Sequence, residues 1–470
     1  MSASATVTPR SSLWASLKEA IRGTRQDFTE GSISRAILLL ATPMVLEMLM
    51  ESLFAIVNVF WVTRLGADAV ATVGLTESML TLVFSVAIGI SMSTTAMVAR
   101  RIGEKKPREA AVAGGQGILL GTGLALMMGI PAFFYAPQLL ALMGAAPGLI
   151  ASGQHYTSIV LGCSVVVMLL FLNNAIFRGA GDAAIAMRVL WISNLINLIL
   201  DPCLIFGLGP FPQLGITGAA ISTLIGRGTG VALQFWMLMS GKSRIHMRLS
   251  DLRVVPEVLF SLARVSVTGV LQFAIGHTSW IALVRIISTF GSVAVAGYTI
   301  GIRIFIFAIL PSWGLSGAAA TMVGQNLGAR KPERAQKAVI LTALYNAVFL
   351  GCVSLVFVFA PDALVRFFTT DPAVSGYAVD CLRIIGFGNL AYAFGMVMVQ
   401  AFNGAGDTIT PTIINVIGFW CCEIPVAWVL AYPLGLHVRG VFMAIPIANT
   451  IITILGVTMF LRGGWKARKI

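Results

Sequence analysis

Apolar and polar positions alternate along this chain in long blocks rather than single steps. Apolar blocks lie near 36–62, 72–98, 111–135, 152–177, 184–208, 216–240, 258–287, 293–323, 336–360, 377–402, 409–434 and 440–461. A bilayer core of ~30 Å is crossed by about 20 residues of α-helix, so each block can form one crossing. Six blocks precede and six follow a polar segment, 241–256, that carries Lys242, Arg244, Arg248, Asp251 and Arg253. The pattern predicts an all-α integral membrane fold of twelve transmembrane helices. It divides the chain into a tail (1–31), a six-helix lobe (32–240), a linker (241–256) and a second six-helix lobe (257–465).

The two lobes repeat one another. Phe177-Arg178-Gly179-Ala180-Gly181-Asp182 returns as Phe402-Asn403-Gly404-Ala405-Gly406-Asp407, 225 positions later. The same offset links Ala99-Arg100-Arg101-Ile102-Gly103-Glu104-Lys105-Lys106-Pro107 to Gly324-Gln325-Asn326-Leu327-Gly328-Ala329-Arg330-Lys331-Pro332, Leu65-Gly66 to Phe290-Gly291, and Gly215 to Gly440. Several landmarks at one ungapped spacing indicate an internal duplication, and duplicated membrane halves are a transporter architecture. With six spans per repeat, both repeats insert the same way, related by an axis along the membrane normal.

Composition agrees. Hydrophobic residues make up 57% and charged residues 11% of the chain, which places most of it in lipid. The net charge of +13 would suit nucleic acid, but its distribution points elsewhere. Lys and Arg concentrate at alternate ends of the spans, 24 on one side (Arg10 to Arg35, Arg100 to Arg108, Arg178 and Arg188, Lys242 to Arg253, Arg330 to Lys337, Arg462 to Lys469) against 3 on the other (Arg64, Arg366, Arg439). By the positive-inside rule both termini are expected in the cytoplasm and the protein in a bacterial inner (plasma) membrane. The six cysteines all fall in apolar blocks and read as small buried hydrophobes. In the tail, Trp14, Leu17 and Ile21 alternate with Lys18, Arg22 and Arg25, a weak amphipathic pattern that fits either a membrane-surface contact or a disordered tail. Glycines and prolines inside spans (Pro43, Gly114, Pro202, Pro311 and Pro425 among them) suit close helix packing and bending alike.

Together these landmarks resemble the multidrug and toxic compound extrusion (MATE) antiporters over about 32–465. The residues that carry the resemblance are Phe60-Trp61-Val62 with Leu65-Gly66-Ala67, Val98 to Gly103, Arg178 to Asp182, Leu200-Asp201-Pro202-Cys203-Leu204-Ile205-Phe206-Gly207, Val323 to Arg334 and Asn403 to Thr408. The resemblance implies two six-helix lobes around a V-shaped cleft. It also implies a monomer that exports cationic or amphipathic small molecules in exchange for H+ or Na+, with no other cofactor.

Ionisable residues within spans are costly and mark candidate functional sites. The first lobe holds Glu47, Glu51, Glu77 and Asp201; the second holds Glu423, with Asp380 near a span end. The 225 offset sets Gln272, Gly276, Ile302 and Val426 opposite the first four, which places ion coupling in the first lobe. Glu47 and Glu51 share a helix face, Asn58 lies on the same face two turns on, and Asn197 precedes Asp201 by one turn. Carboxylates with amide oxygens suit Na+, and a buried carboxylate that can take a proton suits H+. Family members usually carry an aspartate where Asn58 stands, and one branch a glutamate near Gln272; both are amides here. Asp201, with Asn197, matches an aspartate used by a second branch. The expected coupling set is therefore Glu51, Asp201, Asn197, Asn58 and Glu47, with Na+ as a candidate at Asp201, Asn197 and Glu51. Gln272, Glu77, Trp280 and Arg303 are weaker candidates for the substrate cavity, and Arg227, Arg264, Arg285 and Arg303 are candidate ion-pair partners of Glu77 and Glu423.

Rival readings are weaker. Gly404-Ala405-Gly406-Asp407 fits the Gly-x-Gly-Asp of intramembrane aspartyl proteases, but no Tyr-Asp dipeptide accompanies it. Asp182 and Asp407 are instead expected to cap the following helices. No phosphate-binding Gly-x4-Gly-Lys-Ser/Thr motif occurs, which argues against an ATP-driven pump. A flippase for lipid or lipid-linked sugar, built from the same two lobes, is the nearer alternative because of the four arginines inside spans.

Overall fold

A computed structural model describes the chain over residues 13–24 and 26–468. A short helix, α1 (Leu13–Arg22), precedes the first lobe: α2 (Ile33–Thr63), α3 (Ala67–Gly103), α4 (Pro107–Phe134), the short α5 (Ala136–Leu142), α6 (Pro147–Gly162) continuing through Cys163 into α7 (Ser164–Ala180), α8 (Ala183–Phe206) and α9 (Ile216–Met239). The second lobe holds α10 (Pro256–Ser288), α11 (Ser292–Gly328), α12 (Pro332–Phe359), the short α13 (Pro361–Val365) and α14 (Pro372–Gly404). Its next span is broken into α15 (Ile409–Asn415), a π-helical stretch Val416–Glu423 and α16 (Ile424–Ala431); α17 (His437–Leu461) ends the lobe. Among the described residues, 12 helical segments are long and apolar enough to cross a membrane, and they coincide with the blocks read from the sequence. Pro107, Pro147, Pro256, Pro332 and Pro372 each open a long helix, where the missing N–H removes no helical hydrogen bond.

The duplication extends to backbone angles. Gly66 and Gly291 precede the second span of each lobe at φ 101° and 106°; Lys105 and Arg330, non-glycines in the left-handed region, stand at 60° and 58°; Gly181 and Gly406 at 87° and 79°. The repeated Gly-Ala-Gly-Asp motif is explained position by position. A Cβ on its first glycine would fall 2.8 Å from the Thr95 carbonyl oxygen (Gly179) or 2.3 Å from the Ala320 carbonyl oxygen (Gly404), so each glycine lets one span touch the second span's backbone. The second glycine makes the left-handed turn.

The aspartate's charged partner lies beyond the helix it precedes, although Asp407 also reaches the first turn of α15. Asp182 makes no capping bond to α8. It accepts hydrogen bonds from Ser243 Oγ (2.8 Å) and the Arg244 amide (2.6 Å) and pairs with the Arg244 guanidinium at 3.2 Å. Asp407 accepts from Thr410, through its hydroxyl at 2.7 Å and its amide at 3.4 Å, and from Arg468 at 3.1 Å. Each lobe thus uses this aspartate to hold an arginine beyond its last span. A charged partner attracts the carboxylate more strongly than one helical N–H.

The lobes meet on the side of the molecule that carries both described chain ends. There α2 and α3 pack against α11 and α10 in two symmetric pairs of close approaches. A Cβ on Gly103 would lie 1.9 Å from the Gln325 carbonyl oxygen, and one on Gly328 would lie 2.1 Å from that of Arg100, the counterpart of Gln325. Deeper in, a Cβ on Gly89 would meet the Val270 nitrogen at 2.6 Å, and one on Gly314 the Val45 nitrogen at 2.7 Å. Direct hydrogen bonds between the lobes lie in this half too: Ser93 with Ser266 (2.6 Å), Thr321 to the Arg178 carbonyl (3.1 Å) and Gln325 to the Gly179 carbonyl (2.9 Å).

The segment after α1 bridges the same seam. Phe28 is fully buried beneath the Arg244 guanidinium, 4.9 Å from its ring centroid. Arg244 donates to the carbonyls of Thr24 and Gln26, while Lys331 and Arg334 of the second lobe donate to those of Phe28, Thr29, Glu30 and Gly31. Burial pushes the Asp27 carboxyl up. Hydrogen bonds from the Thr29 hydroxyl and amide, with Lys105 and Lys331 nearby, outweigh this and hold it below its usual value. The amphipathic pattern of the tail thus becomes α1, with Trp14 pointing outward and Ala20 packed in; Arg10, Arg25 and Lys469 lie outside the described residues. The linker docks on the first lobe: Arg108 pairs with buried Asp251 (2.9 Å), and Gln116 bonds the Arg253 carbonyl and the Val255 amide. Of the six cysteines, Cys381 is buried but Cys352 and Cys421 are exposed on the helix surfaces. A lipid-facing surface accepts a small hydrophobe as readily as a core does, so apolar character alone does not fix their depth.

Candidate functional site

The polar residues of the first lobe fall into two levels along α2 and α8, which run parallel. At the level nearer the sealed side, Glu47 is 1% exposed and pairs with Arg178 of α7 at 2.5 Å. Asn174 Nδ2 donates to it at 3.2 Å, and Asn174 Oδ1 in turn accepts from Gln234 of α9 at 2.7 Å. One turn on, Glu51 pairs with Arg227 of α9 at 3.2 Å and accepts from Asn194 of α8 at 3.2 Å. The Arg227 guanidinium also lies 5.8 Å from the Phe54 ring centroid. Both glutamates are therefore neutralised by arginines within the lobe. Removing either partner of such a pair would strand the other charge in a poorly solvated place.

Further along α8 the surroundings change. Asp201 is 1% exposed, and its carboxylate oxygens have no close donor other than the adjacent Ser222 hydroxyl, which is itself turned to the Asn197 carbonyl; Asn197 Oδ1, one turn before, is buried and unpartnered. Asn197 Nδ2 donates to Thr223 Oγ1 at 3.1 Å, and Ser222 Oγ bonds the Asn197 carbonyl at 3.2 Å, which fixes the amide with its oxygen free. Tyr156 of α6 is within electrostatic range of both Asp201 and Glu77. Pro202 comes next and cannot donate to the Leu198 carbonyl, which weakens the helix at this point. Buried carboxylate and amide oxygens with no basic side chain paired to them among the described residues are chemically suited to take a cation. Seven residues separate Glu51 from Asn58 and Asn194 from Asp201, so Asn58 stands at the height of Asp201 on the neighbouring span. Asn58 is half-buried.

The structure thus splits the residues expected to act together. Asp201 and Asn197 form one level, with Asn58 beside it; Glu51 and Glu47 form another, each held by an arginine. In the sequence Arg178 counts only among the charges at span ends, and its pairing with Glu47 is not expected there. A signal for it is nevertheless present: Arg178 and Asn174 are one turn apart on α7, a donor pair on one face. Arg227, expected near Glu77 or Glu423, instead meets Glu51. Of the weaker candidates, Glu77 and Arg303 lie within electrostatic range across the lobes, and Trp280 is 40% exposed beside His277 and Phe273 on α10. Gln272 is buried with Oε1 unpartnered. No cluster of three or more His, Cys, Asp or Glu side chains occurs among the described residues.

The MatE family model matches this chain twice, over 43–203 and 270–429, once in each lobe. The chain belongs to the MatE family. Its members are membrane transporters, and this chain is a multi-pass transporter rather than an enzyme. It is 27% identical to a probable multidrug resistance protein NorM of Thermotoga maritima, over 93% of this chain and 94% of that protein. It is 25% identical to a FAD transporter of Shewanella oneidensis, over 92% and 95% respectively. Among solved structures, a MOP superfamily transporter from Pyrococcus furiosus superposes with a TM-score of 0.87 at 24% identity, covering 94% of this chain and 98% of that one. A multidrug resistance MATE transporter in an outward-facing conformation superposes at 0.86 with 25% identity, over 93% and 97%.

Proposed function

We propose that this MatE transporter is a secondary antiporter that exports cationic or amphipathic small molecules in exchange for an inward-moving cation. The lobes, 32–240 and 257–465 joined by a linker at 241–256, rock about the seam between them. The observation that carries the reading is Asp201 with Asn197: a buried acid and amide whose oxygens are unsatisfied, on a helix weakened by Pro202. A proton or Na+ would supply the missing partner. Its arrival and departure change the charge inside the first lobe and so bias a bistable packing. Two carboxylate oxygens, an amide oxygen and the nearby hydroxyls of Ser222 and Thr223 fit Na+, and the carboxylate alone fits H+. Glu47 and Glu51, locked by Arg178 and Arg227, serve as fixed charges that stiffen α2 against α7, α8 and α9. The seal on the side of the chain termini corresponds to an outward-open state when that side faces the cytoplasm, as the Lys and Arg distribution supports.

The test is transport into and out of proteoliposomes with ethidium as the probe cation, driven in turn by a proton gradient and by a sodium gradient. Uphill transport under one gradient, lost in Asp201→Asn and retained in Glu51→Gln/Arg227→Gln, supports this assignment. Gradient-driven transport that survives Asp201→Asn would exclude it.

A further inference from the structure

The sequence places the expected coupling acids in the first lobe. The second lobe nevertheless buries a carboxyl on the span that duplicates α8. Glu423 ends the π-helical stretch Val416–Glu423 and is 4% exposed. Among the described residues it has no ion pair. Its polar contact is Ser279 of α10, itself fully buried, whose Oγ donates to Oε2 at 2.5 Å. Tyr298 of α11, 1% exposed, lies within electrostatic range, its hydroxyl beside the Trp280 side chain of α10.

The π-helix is what brings the carboxyl there. Its i to i+5 bonding widens the turn and sets residues four to five apart on one face. Asn415, Phe419 and Glu423 therefore form a line along α10: Asn415 Nδ2 reaches the Gln272 carbonyl, the Phe419 carbonyl lies 3.4 Å from Ser279 Oγ, and Trp420 Nε1 bonds the Ile275 carbonyl and Thr278 Oγ1. Pro425, two residues on, cannot donate the bond to the Cys421 carbonyl that an α-helix requires. Wide turns of this kind are frequent at functional sites, and reversion to α-geometry would rotate the helix beyond them.

We propose that Glu423, with Ser279 and this π-helical turn, is a second proton-carrying site of the transporter, on the span that duplicates the one bearing Asp201. One carboxyl, one hydroxyl and a distant phenol are too few oxygens for Na+ but enough for a proton. Among the described residues no basic side chain pairs with Glu423. On its own turn stand Cys421 and Cys422. From α10, His277 precedes Ser279 by two residues, and Arg285 lies further along in a groove with Trp428 and Tyr432. α15 carries no titratable side chain, and α17 none between Arg439 and Arg462. An acid so enclosed is neutral unless a proton leaves, and loss of the proton would leave a bare charge that the π-turn can carry away from α10. The proton-carrying role in transport rests on the antiporter reading above; the protonation itself does not.

The test separates the two. Infrared spectra of the reconstituted protein are recorded from about pH 5 to 9, where ordinary carboxyls are ionised and only perturbed ones still carry a proton. Wild type shows a protonated-carboxyl band with one component lost in Glu423→Gln and another lost in Asp201→Asn. Ser279→Ala retains the Glu423 component at a shifted frequency, because the carboxyl loses its hydrogen-bond donor. Sodium added at constant pH leaves that component unchanged. A Glu423→Gln spectrum identical to wild type, or loss of the component on adding sodium, would overturn the proposal. Glu423→Gln is isosteric, and Ser279→Ala gives an independent readout should it fold poorly. The component can persist even if ethidium is not transported, which would count against the antiporter reading alone.

Discussion

Set side by side, the fifth spans of the two lobes share a backbone plan and differ in chemistry. Each carries a buried acid directly before or two residues before a proline: Asp201 with Pro202, and Glu423 with Pro425. In the first lobe the helix stays regular through the acid, which shares its own helix with the Asn197 amide and faces the Ser222 and Thr223 hydroxyls of α9. In the second lobe the helix widens, and a single hydroxyl closes on the acid. The contrast shows where the duplication is constrained. At the seam each lobe's glycines must fit the other lobe's backbone, and pairs such as Gly103 and Gly328 are retained in register. Inside a lobe only internal complementarity counts, so the acids have been free to diverge.

The largest expected effect breaks the comparison outright. Asp201→Asn reduces gradient-driven ethidium transport to the leak rate, whereas Glu423→Gln lowers it by roughly tenfold, the scale of one coupling free energy. If the two variants proved equal, the lobes would be equivalent and the first-lobe assignment would fail. Removing one residue from the π-stretch, for example Ile417, sharpens the contrast. An α-helical register turns Glu423 away from Ser279 and should reproduce the Glu423→Gln rate and its missing infrared component.

Next in size is the seam. Gly103→Ala and Gly328→Ala each force a methyl into a carbonyl oxygen about 2 Å away. Overpacking of this kind costs about 1–3 kcal/mol, and 2 kcal/mol moves a two-state population by roughly thirtyfold. Distances between spin labels at Arg108 and Lys337, in a background without cysteine, should broaden toward an opened seam. The two variants should match because the contacts are related by the duplication. Unequal responses would mean that the seam is not symmetric in energy even though it is symmetric in geometry.

The same division governs how much of the molecule is legible in the sequence. The twelve spans and their duplication can be read directly, since hydrophobic blocks and fixed-φ glycines are local properties. The Gly-Ala-Gly-Asp repeat can be located but only half explained. Its glycines behave as turn chemistry requires, whereas the partner of its aspartate, Arg244 or Arg468, lies some sixty residues away and no periodicity links them. The acids stand out individually, because a charge inside an apolar block is conspicuous. Their partners do not, because Arg178 sits near a span end and Arg227 lies five spans beyond Glu51. Glu423 is hard to place for a related reason: a π-turn has no composition signature, and a 225 offset aligns it with Leu198 rather than with Asp201.

Smaller effects are expected at the aspartate clamps. Asp182 and Asp407 are both buried and each takes three donors, but Arg244 is largely buried whereas Arg468 is about half exposed. Asp182→Asn should therefore lower thermal stability by about 3–5 kcal/mol, as for a buried pair broken on one side. Asp407→Asn should cost less, because the half-exposed Arg468 is left to solvent rather than stranded. Thermal unfolding in detergent followed by intrinsic fluorescence ranks the two, and the reverse order would show that burial is not what separates them.

The smallest effect concerns the segment that crosses the seam. The Asp27 carboxyl is held below its ordinary value by the Thr29 hydrogen bonds, with Lys105 and Lys331 nearby, despite the opposing effect of burial. Its folded state thus binds the proton more weakly than the unfolded state. The stability it contributes is present above the unfolded value of about 3.8 and is lost as pH falls through the lower folded value. Acidification below about pH 4 should therefore loosen residues 26–31 before the spans themselves, seen as faster hydrogen exchange at Phe28 and Thr29. Asp27→Asn should remove this acid-dependent step and leave exchange in that segment raised at neutral pH. Phe28→Ala should raise exchange at every pH, because it empties the space beneath Arg244 without touching the carboxyl. If Asp27→Asn retained the wild-type pH dependence, the segment would be held by Phe28 and the Arg334 hydrogen bonds alone.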